Sequence, residues 1–312
     1  MFDYHMHSRV SFDGHDTGEA MARAAKSAGL KEICFTDHLD YDPLEKMGVM
    51  AFDTDAYNAE YDHLEVPGLK IRRGMEFGMT RGNREQFRKD LKRRHFDFVL
   101  GSIHFVDNLD VYFGEYWRGK TVFEAERRYL ETTLDCVRVH EDFDVLGHLT
   151  YIAKARSHPA PRLVPFDDHR EIFEEILRIL AAKGKGLEMN TSGMDRVGGF
   201  LPAADYFRRF KELGGEIVTV GSDAHTADRV GQYSADACAI LKDIFGYVCT
   251  FEDRKPIFHK LKRIHDKTKD RRHILRLRFS LPVRNVSFLY IGSGAESDGT
   301  GPGPAKKSET SQ

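Results

Sequence analysis

The chain has 312 residues, 41% hydrophobic and 31% charged, with a formal net charge of -2. That length accommodates one large α/β barrel or two smaller domains. The near-neutral charge gives no support for bulk attraction to nucleic acid or membrane, and no run of about 18 apolar residues is present to span a bilayer. His5 and His7 arrive before a basic region or an apolar stretch could form a signal peptide. Cys34, Cys136, Cys238 and Cys249 form no CxxC pair and have mostly apolar neighbours, which reads as reduced core cysteines in a cytoplasmic protein.

Taken in order, the chain repeats one design, an apolar strand that ends in a metal-type ligand. Phe2-Asp3-Tyr4-His5-Met6-His7 opens it, and residues two apart on a strand point the same way, so both imidazoles can reach one ion. A turn at Asp13-Gly14 follows. Asp16 to Glu19 has capping-box spacing and opens a helix to about Ala28, with Gly29 after it in the C′ position. The strand Glu32–Thr36 runs into Asp37-His38. A helix over about 53–64 leads to a strand at 69–73, which runs into Gly74-Met75-Glu76-Phe77. A helix at 83–94 leads to a strand at 96–100 and Gly101-Ser102-Ile103-His104. A helix at 122–140 leads to Asp144-Val145-Leu146 and then Gly147-His148. A helix at 166–182, with Ile172, Phe173, Ile176, Leu177 and Leu180 at helical spacing, leads to Gly186-Leu187-Glu188-Met189-Asn190. A helix at 203–213 leads to a strand at 216–220 and Gly221-Ser222-Asp223-Ala224-His225. The last helix, 234–245, precedes a short strand at 247–251.

Seven strands alternating with helices argue for parallel strands joined by right-handed crossovers. Such units close into a (β/α) barrel, whose strand C-terminal ends share one rim, where active sites lie. The rim would gather His5, His7, Asp13, His38, Glu76, His104, His148, Asp223 and His225. Imidazole with carboxylate suits Zn, Mn or Fe, and the lack of thiolate argues against a purely structural zinc site. These are too many donors for one tetrahedral ion and suit two or three. Two ions about 4 Å apart can activate a bridging water and clamp both oxygens of a phosphoryl transfer.

Together these motifs resemble the PHP (polymerase and histidinol phosphatase) superfamily, and within it the histidinol-phosphatase branch. The matching segments are residues 3–7, 11–14, 35–38, 74–76, 101–105, 147–149, 188–193 and 221–225, in family order. The resemblance implies a distorted (β/α)7 TIM-like barrel with a metal site at the C-terminal ends of the strands. By carry-over, His5, His7, Glu76 and Asp223 would hold one ion, Glu76, His104 and His148 a second, and Asp13, His38 and His225 a third, with His15 as a substitute for Asp13. It also implies hydrolysis of L-histidinol phosphate in histidine biosynthesis by a metal-bridging hydroxide. Arg156, with Lys154 behind it, would contact the phosphate, and a metal-polarised water or a rim acid, Asp223 or His225, would protonate the departing alkoxide. The partner is a small phosphate ester, with no nucleic acid or membrane expected; a homo-oligomer is compatible with the sequence.

Blander readings stand beside these. The histidines could cap strands, and Glu76 could pair with Arg72 or Arg73. Glu188 and Asn190 are read as rim supports. His63, His95, His140, His158, His169, His259, His265 and His273 are read as non-ligands. Rival functions are a PHP phosphoesterase of another substrate, a non-catalytic PHP module and an exonuclease. The expected layout is a barrel over 1–265, a basic extension over 266–291 and a disordered tail over 292–312; the basic run 254–278 is read as solvated surface.

Overall fold

In the computed structural model the described residues are 1–42 and 50–261. Seven strands run in one parallel sheet: β1 (Phe2–Asp3), β2 (Glu32–Phe35), β3 (Lys70–Gly78), β4 (Phe98–Ser102), β5 (Val145–Leu146), β6 (Gly186–Asn190) and β7 (Val218–Gly221). His38–Leu39 continues β2 along the end of β3, pairing His38 with Glu76 and Leu39 with Phe77. The sheet curls until its two edge strands meet. Tyr4 N donates to Val220 O at 2.9 Å, His7 N to Ala224 O at 2.8 Å and Asp223 N to His5 O at 2.7 Å. The architecture is therefore a nearly closed barrel with helices between its strands.

Strand alternation sets what faces where. On β3, Met75 and Phe77 join the main apolar core against the helices, and Glu76 between them points the other way. On β6, Leu187 and Met189 do the same around Glu188. A second, smaller apolar cluster comprises Tyr4, Cys34, Phe98, Leu100, Val145, Cys249 and Phe251. Its last two members come from the strand β8 (Tyr247–Glu252), which is not a barrel strand. It pairs antiparallel with β9 (Lys255–Lys260).

Within that hairpin Lys255 and Lys260 are exposed, in line with a solvated basic run, and Arg254 departs from that reading. Arg254 is half-buried, and its guanidinium donates to Asp144 Oδ2 and to the carbonyl of Asp142. The rest of the run, the domain boundary at 265, the extension 266–291 and the tail 292–312 lie outside the described residues, as does part of the 42–52 loop.

Helix ends depart from expectation for local reasons. Helix Gly18–Ser27 is capped by Thr17, whose Oγ1 accepts from Ala20 N at 3.1 Å. Asp16 instead accepts from Ala227 N at 2.7 Å, tying the first loop to the one after β7. A full capping box is found at helix Val122–Val139, between Thr121 and Glu124. Helix Arg84–Asp90 stops four residues short of the expected 94. The following Arg94 turns back to cover the Tyr57 ring at 4.6 Å and to donate to Asp62 at 3.2 Å.

Candidate metal centre

All the donors expected at the rim, from His5 to His225, converge at one end of the barrel. His5 Nε2 lies 3.2 Å from Glu76 Oε2 and 3.5 Å from Asp223 Oδ1. His7 Nε2 lies 3.5 Å from Glu76 Oε2 and 3.4 Å from Asp223 Oδ1. Around an ion with bonds of about 2.0–2.2 Å, tetrahedral donors stand roughly 3.3–3.6 Å apart. These four atoms therefore already have the spacing of a coordination shell. Beside them, Glu76 Oε1 lies 2.9 Å from His148 Nε2 and 3.4 Å from His104 Nε2, and it accepts from Ser102 Oγ at 2.6 Å. A third group forms on the outer side, where Asp13 Oδ2 lies 3.2 Å from His225 Nε2 and 3.6 Å from His38 Nε2. The His7 ring packs against both His38 and His225, at 4.3 Å from each, and those two rings lie 6.0 Å apart. His15 is exposed, so Asp13 is the residue the fold brings to this group.

The polar bookkeeping of these groups fits a cation. His5 Nε2, His7 Nε2, Glu76 Oε2 and Asp13 Oδ1 are buried and have no hydrogen-bond partner. A buried polar atom left so costs about 1–3 kcal/mol, and here four such atoms share one pocket with donor sets of the right chemistry. The opposite ring nitrogens are held. His5 Nδ1 meets Glu188 Oε1 at 2.7 Å, His7 Nδ1 meets Ser11 Oγ at 3.2 Å, and His225 Nδ1 meets the Asp223 carbonyl at 2.9 Å. Since a carboxylate or carbonyl only accepts, Nδ1 carries the proton in His5 and His225, and the Nε2 lone pair is presented to the site. Glu188 also accepts from His148 N at 2.7 Å and Asn190 Nδ2 at 3.2 Å.

The field in the pocket is strongly uneven. Burial and the neighbouring His225 and His38 push His7 down to about 3, so it is a neutral ligand-type imidazole. Burial opposes protonation of His104 as well, but Asp40 and Glu76 outweigh it and raise it to about 10. His5 is raised for the same kind of reason, with Glu188, Glu76 and Asp223 outweighing burial. Glu76 is held well below the usual carboxylate range because His5, His38 and His104 outweigh its burial. Carboxylates that would pull protons onto these rings would equally pull in a dication.

Backbone strain sits at the same place. Asp223 has φ of 56°, a left-handed conformation that costs a non-glycine residue about 1–2 kcal/mol. It turns the carboxylate of the chain leaving β7 toward His5 and His7.

Asp40 was not picked out as a site residue from the sequence. Its two oxygens take His38 Nδ1 at 3.0 Å and His104 Nδ1 at 2.9 Å, and it is fully buried. The signal was present: Asp40 follows His38 by two residues, which on an extended segment puts both on one face. Lys154 is the other basic group in the cluster. Its Nζ contacts Asp223 Oδ2 and donates to Ser192 Oγ at 2.8 Å. Arg156 lies just past the end of the same 3-10 turn, Tyr151–Lys154, and is exposed. Arg196 holds its carbonyl at 2.9 Å.

The bland alternatives fare differently. Arg72 goes to Glu32 at 3.1 Å and Glu252 at 2.7 Å, and Arg73 to Asp62 at 2.9 Å, so neither neutralises Glu76. Of the other histidines, His95 is exposed and pairs with Asp253 at 2.7 Å, His63 is exposed, and His259 meets Thr250 Oγ1 at 2.7 Å. His140, His158 and His169 are buried away from the donor groups. His265 and His273 lie outside the described residues.

Comparison with known proteins places this site in context. The PHP domain model matches residues 3–192. A histidinol-phosphatase of Lactococcus lactis is 35% identical over 233 residues, covering 73% of this chain and 85% of that protein. A probable histidinol-phosphatase of Thermotoga maritima is 28% identical over 264 residues, covering 84% of this chain and all of the other. Among solved structures, the Lactococcus lactis histidinol phosphate phosphatase complexed with zinc, L-histidinol and phosphate superposes with a TM-score of 0.72 at 32% identity. That alignment covers 82% of this chain and 98% of that one. A putative histidinol phosphatase from Listeria monocytogenes, at 18% identity and a TM-score of 0.63, shares the fold.

Proposed function

The chain belongs to the PHP domain family, and on that premise we propose that it is a histidinol-phosphatase, hydrolysing L-histidinol phosphate to L-histidinol and phosphate. The observation that carries this reading is the donor pocket itself: three adjoining His/carboxylate groups at ligand spacing, in a chain 35% identical to a histidinol-phosphatase over most of its length. The related structure holds zinc.

We assign His5, His7, Glu76 and Asp223 to one divalent ion, Glu76, His104 and His148 to a second, and Asp13, His38 and His225 to a third, with zinc, manganese or iron as the fitting metals. Such ions supply Lewis acidity, activating water and neutralising charge on the phosphoryl oxygens. The protein's own part is to hold the donors rigidly. Glu188, Ser11 and Asp40 fix the imidazoles from behind. Lys154, at Asp223, and Arg156, at the rim beside it, are the cations for the equatorial phosphate oxygens. As the P–O bond breaks, a water at the rim, oriented by Asp223 and His225, would supply the proton to the departing alkoxide. The cysteines are all buried, and no covalent intermediate on the protein is required.

The test is phosphate release by purified, metal-analysed protein from L-histidinol phosphate, beside nucleotides, sugar phosphates and an aryl phosphate. Strong preference for histidinol phosphate, abolished by chelation and by His5→Ala, is expected. Chelator-sensitive activity confined to other esters would overturn the substrate assignment and keep the metal site.

A further inference from the structure

Outside the metal pocket, one carboxylate is placed where its burial makes no sense for stability alone. Glu126 lies on the inner face of helix Val122–Val139, among Ala125, Tyr129 and Leu130, and is fully buried. Burying an ionised carboxylate costs several kcal/mol unless it is well paired, and an apolar side chain of similar size would serve packing as well or better. What Glu126 has instead is a set of basic partners that all come from residues 158–169. Arg162 Nη2 donates to Oε2 at 2.9 Å, and His169 Nε2 meets the same oxygen at 3.4 Å. His158 Nε2 faces Oε1 at 3.9 Å, and neither of those two atoms has another partner. His158 Nδ1 accepts from Ala160 N at 3.0 Å, which leaves the ring proton on Nε2, directed at Glu126.

This segment leads directly from the phosphate-side cations. Lys154 closes the 3-10 turn, Arg156 follows, and the three-proline stretch to Pro165 comes next. Its near end is pinned by Arg196 on the carbonyls of Ala155 and Arg156, and by Ser157 N donating to Tyr112 O at 3.1 Å. Its far end is pinned at Glu126. Trp117 packs on the His158 ring at 4.6 Å.

We infer that Glu126 is a positioning residue for phosphate-ester binding: it clamps the 155–165 loop so that Lys154 and Arg156 are held over the metal face. The inference rests on the phosphatase reading of that face. It makes Glu126 act on substrate affinity through the loop, without touching substrate or metal ligands.

The experiment compares metal-loaded wild type with Glu126→Gln and Arg162→Ala, the second removing one contact from the loop side. Four quantities are read: bound metal, KM and kcat for L-histidinol phosphate, affinity for inorganic phosphate, and the rate of tryptic cleavage after Lys154, Arg156 and Arg162. Both variants are expected to keep their metal and most of kcat, while KM and the phosphate Kd rise by about tenfold. Cleavage at Arg156 should accelerate in both, and added phosphate should slow it. Unchanged KM, phosphate affinity and cleavage would overturn the inference. So would a loss of solubility or of melting temperature in both variants without a selective rise in KM, because Glu126 would then serve only the stability of the barrel. If wild type hydrolyses no histidinol phosphate, the substrate reading falls by itself; phosphate binding and cleavage still decide the role of Glu126.

Discussion

Glu188→Gln changes one atom type and puts the support of the metal centre to a direct test. Three donors converge on this carboxylate: His5 Nδ1–H at 2.7 Å, the His148 amide at 2.7 Å and Asn190 Nδ2 at 3.2 Å. Glutamine offers a single acceptor oxygen. If its oxygen stays on His5, its NH2 faces the His148 N–H, donor against donor. If it flips, the NH2 faces His5 Nδ1 and favours the tautomer with the proton on Nε2, the nitrogen that points at Glu76 and Asp223. Either orientation leaves a buried group wrongly paired, at about 1–3 kcal/mol. Loss of a carboxylate behind a ligating histidine typically weakens metal binding by roughly 10- to 100-fold. The assay is competitive metal titration against a chromophoric chelator, with thermal melts of the metal-free protein alongside. The variant should bind metal at least tenfold more weakly, and its metal-free form should melt lower by roughly 2–4 °C for each kcal/mol lost. Wild-type affinity together with an unchanged melting temperature would refute the reasoning about His5.

Gly221→Ala should abolish metal binding and activity, because a Cβ there would overlap Glu188 Oε1 and the His5 Cβ; metal analysis of the purified variant decides it. Thr121→Ala removes the capping box of helix Val122–Val139 and should cost about 1 kcal/mol in denaturant unfolding, with kcat unchanged. His140 is buried with Nε2–H on the Thr80 carbonyl at 2.8 Å, and burial lowers its pKa. The unfolded chain therefore takes up that proton more readily, so the stability His140 contributes is present above pH ~6.5 and is lost as pH falls below it. His140→Gln, which keeps a donor for Thr80, should flatten the acid side of the melting-temperature profile relative to wild type; an identical slope in both would contradict the assignment.

Much of this protein was legible one residue at a time. The strand-end motifs, from His5-x-His7 to Asp223-Ala224-His225, predicted both the barrel and the donors gathered on its rim. They could do so because period-two alternation and the parallel order of β1 to β7 force strand ends to one side. Glu188 and Asn190 were readable as supports for the same reason. Element ends were less legible: Thr17 rather than Asp16 caps the first helix because Asp16 has a partner in the loop after β7, more than two hundred positions away. The fate of β8 also needed the fold. A barrel closed by β1 against β7 has no edge left to accept it, so it pairs instead with β9, taken from the basic run.

What the sequence by itself determined is the chemistry on offer: imidazoles and carboxylates at strand ends, a parallel α/β barrel to hold them, and a hydrolysis that needs no thiol or hydroxyl nucleophile. What only the tertiary structure decided is how those groups are paired: Asp40 between His38 and His104, Glu188 behind His5, Lys154 on Asp223, and Glu126 buried under the loop that follows. The physical reason is range. Strand alternation acts between neighbours in the chain and can be read from spacing. A buried charge is defined by whatever the closed barrel brings within about 4 Å of it, and those partners come from anywhere in the chain.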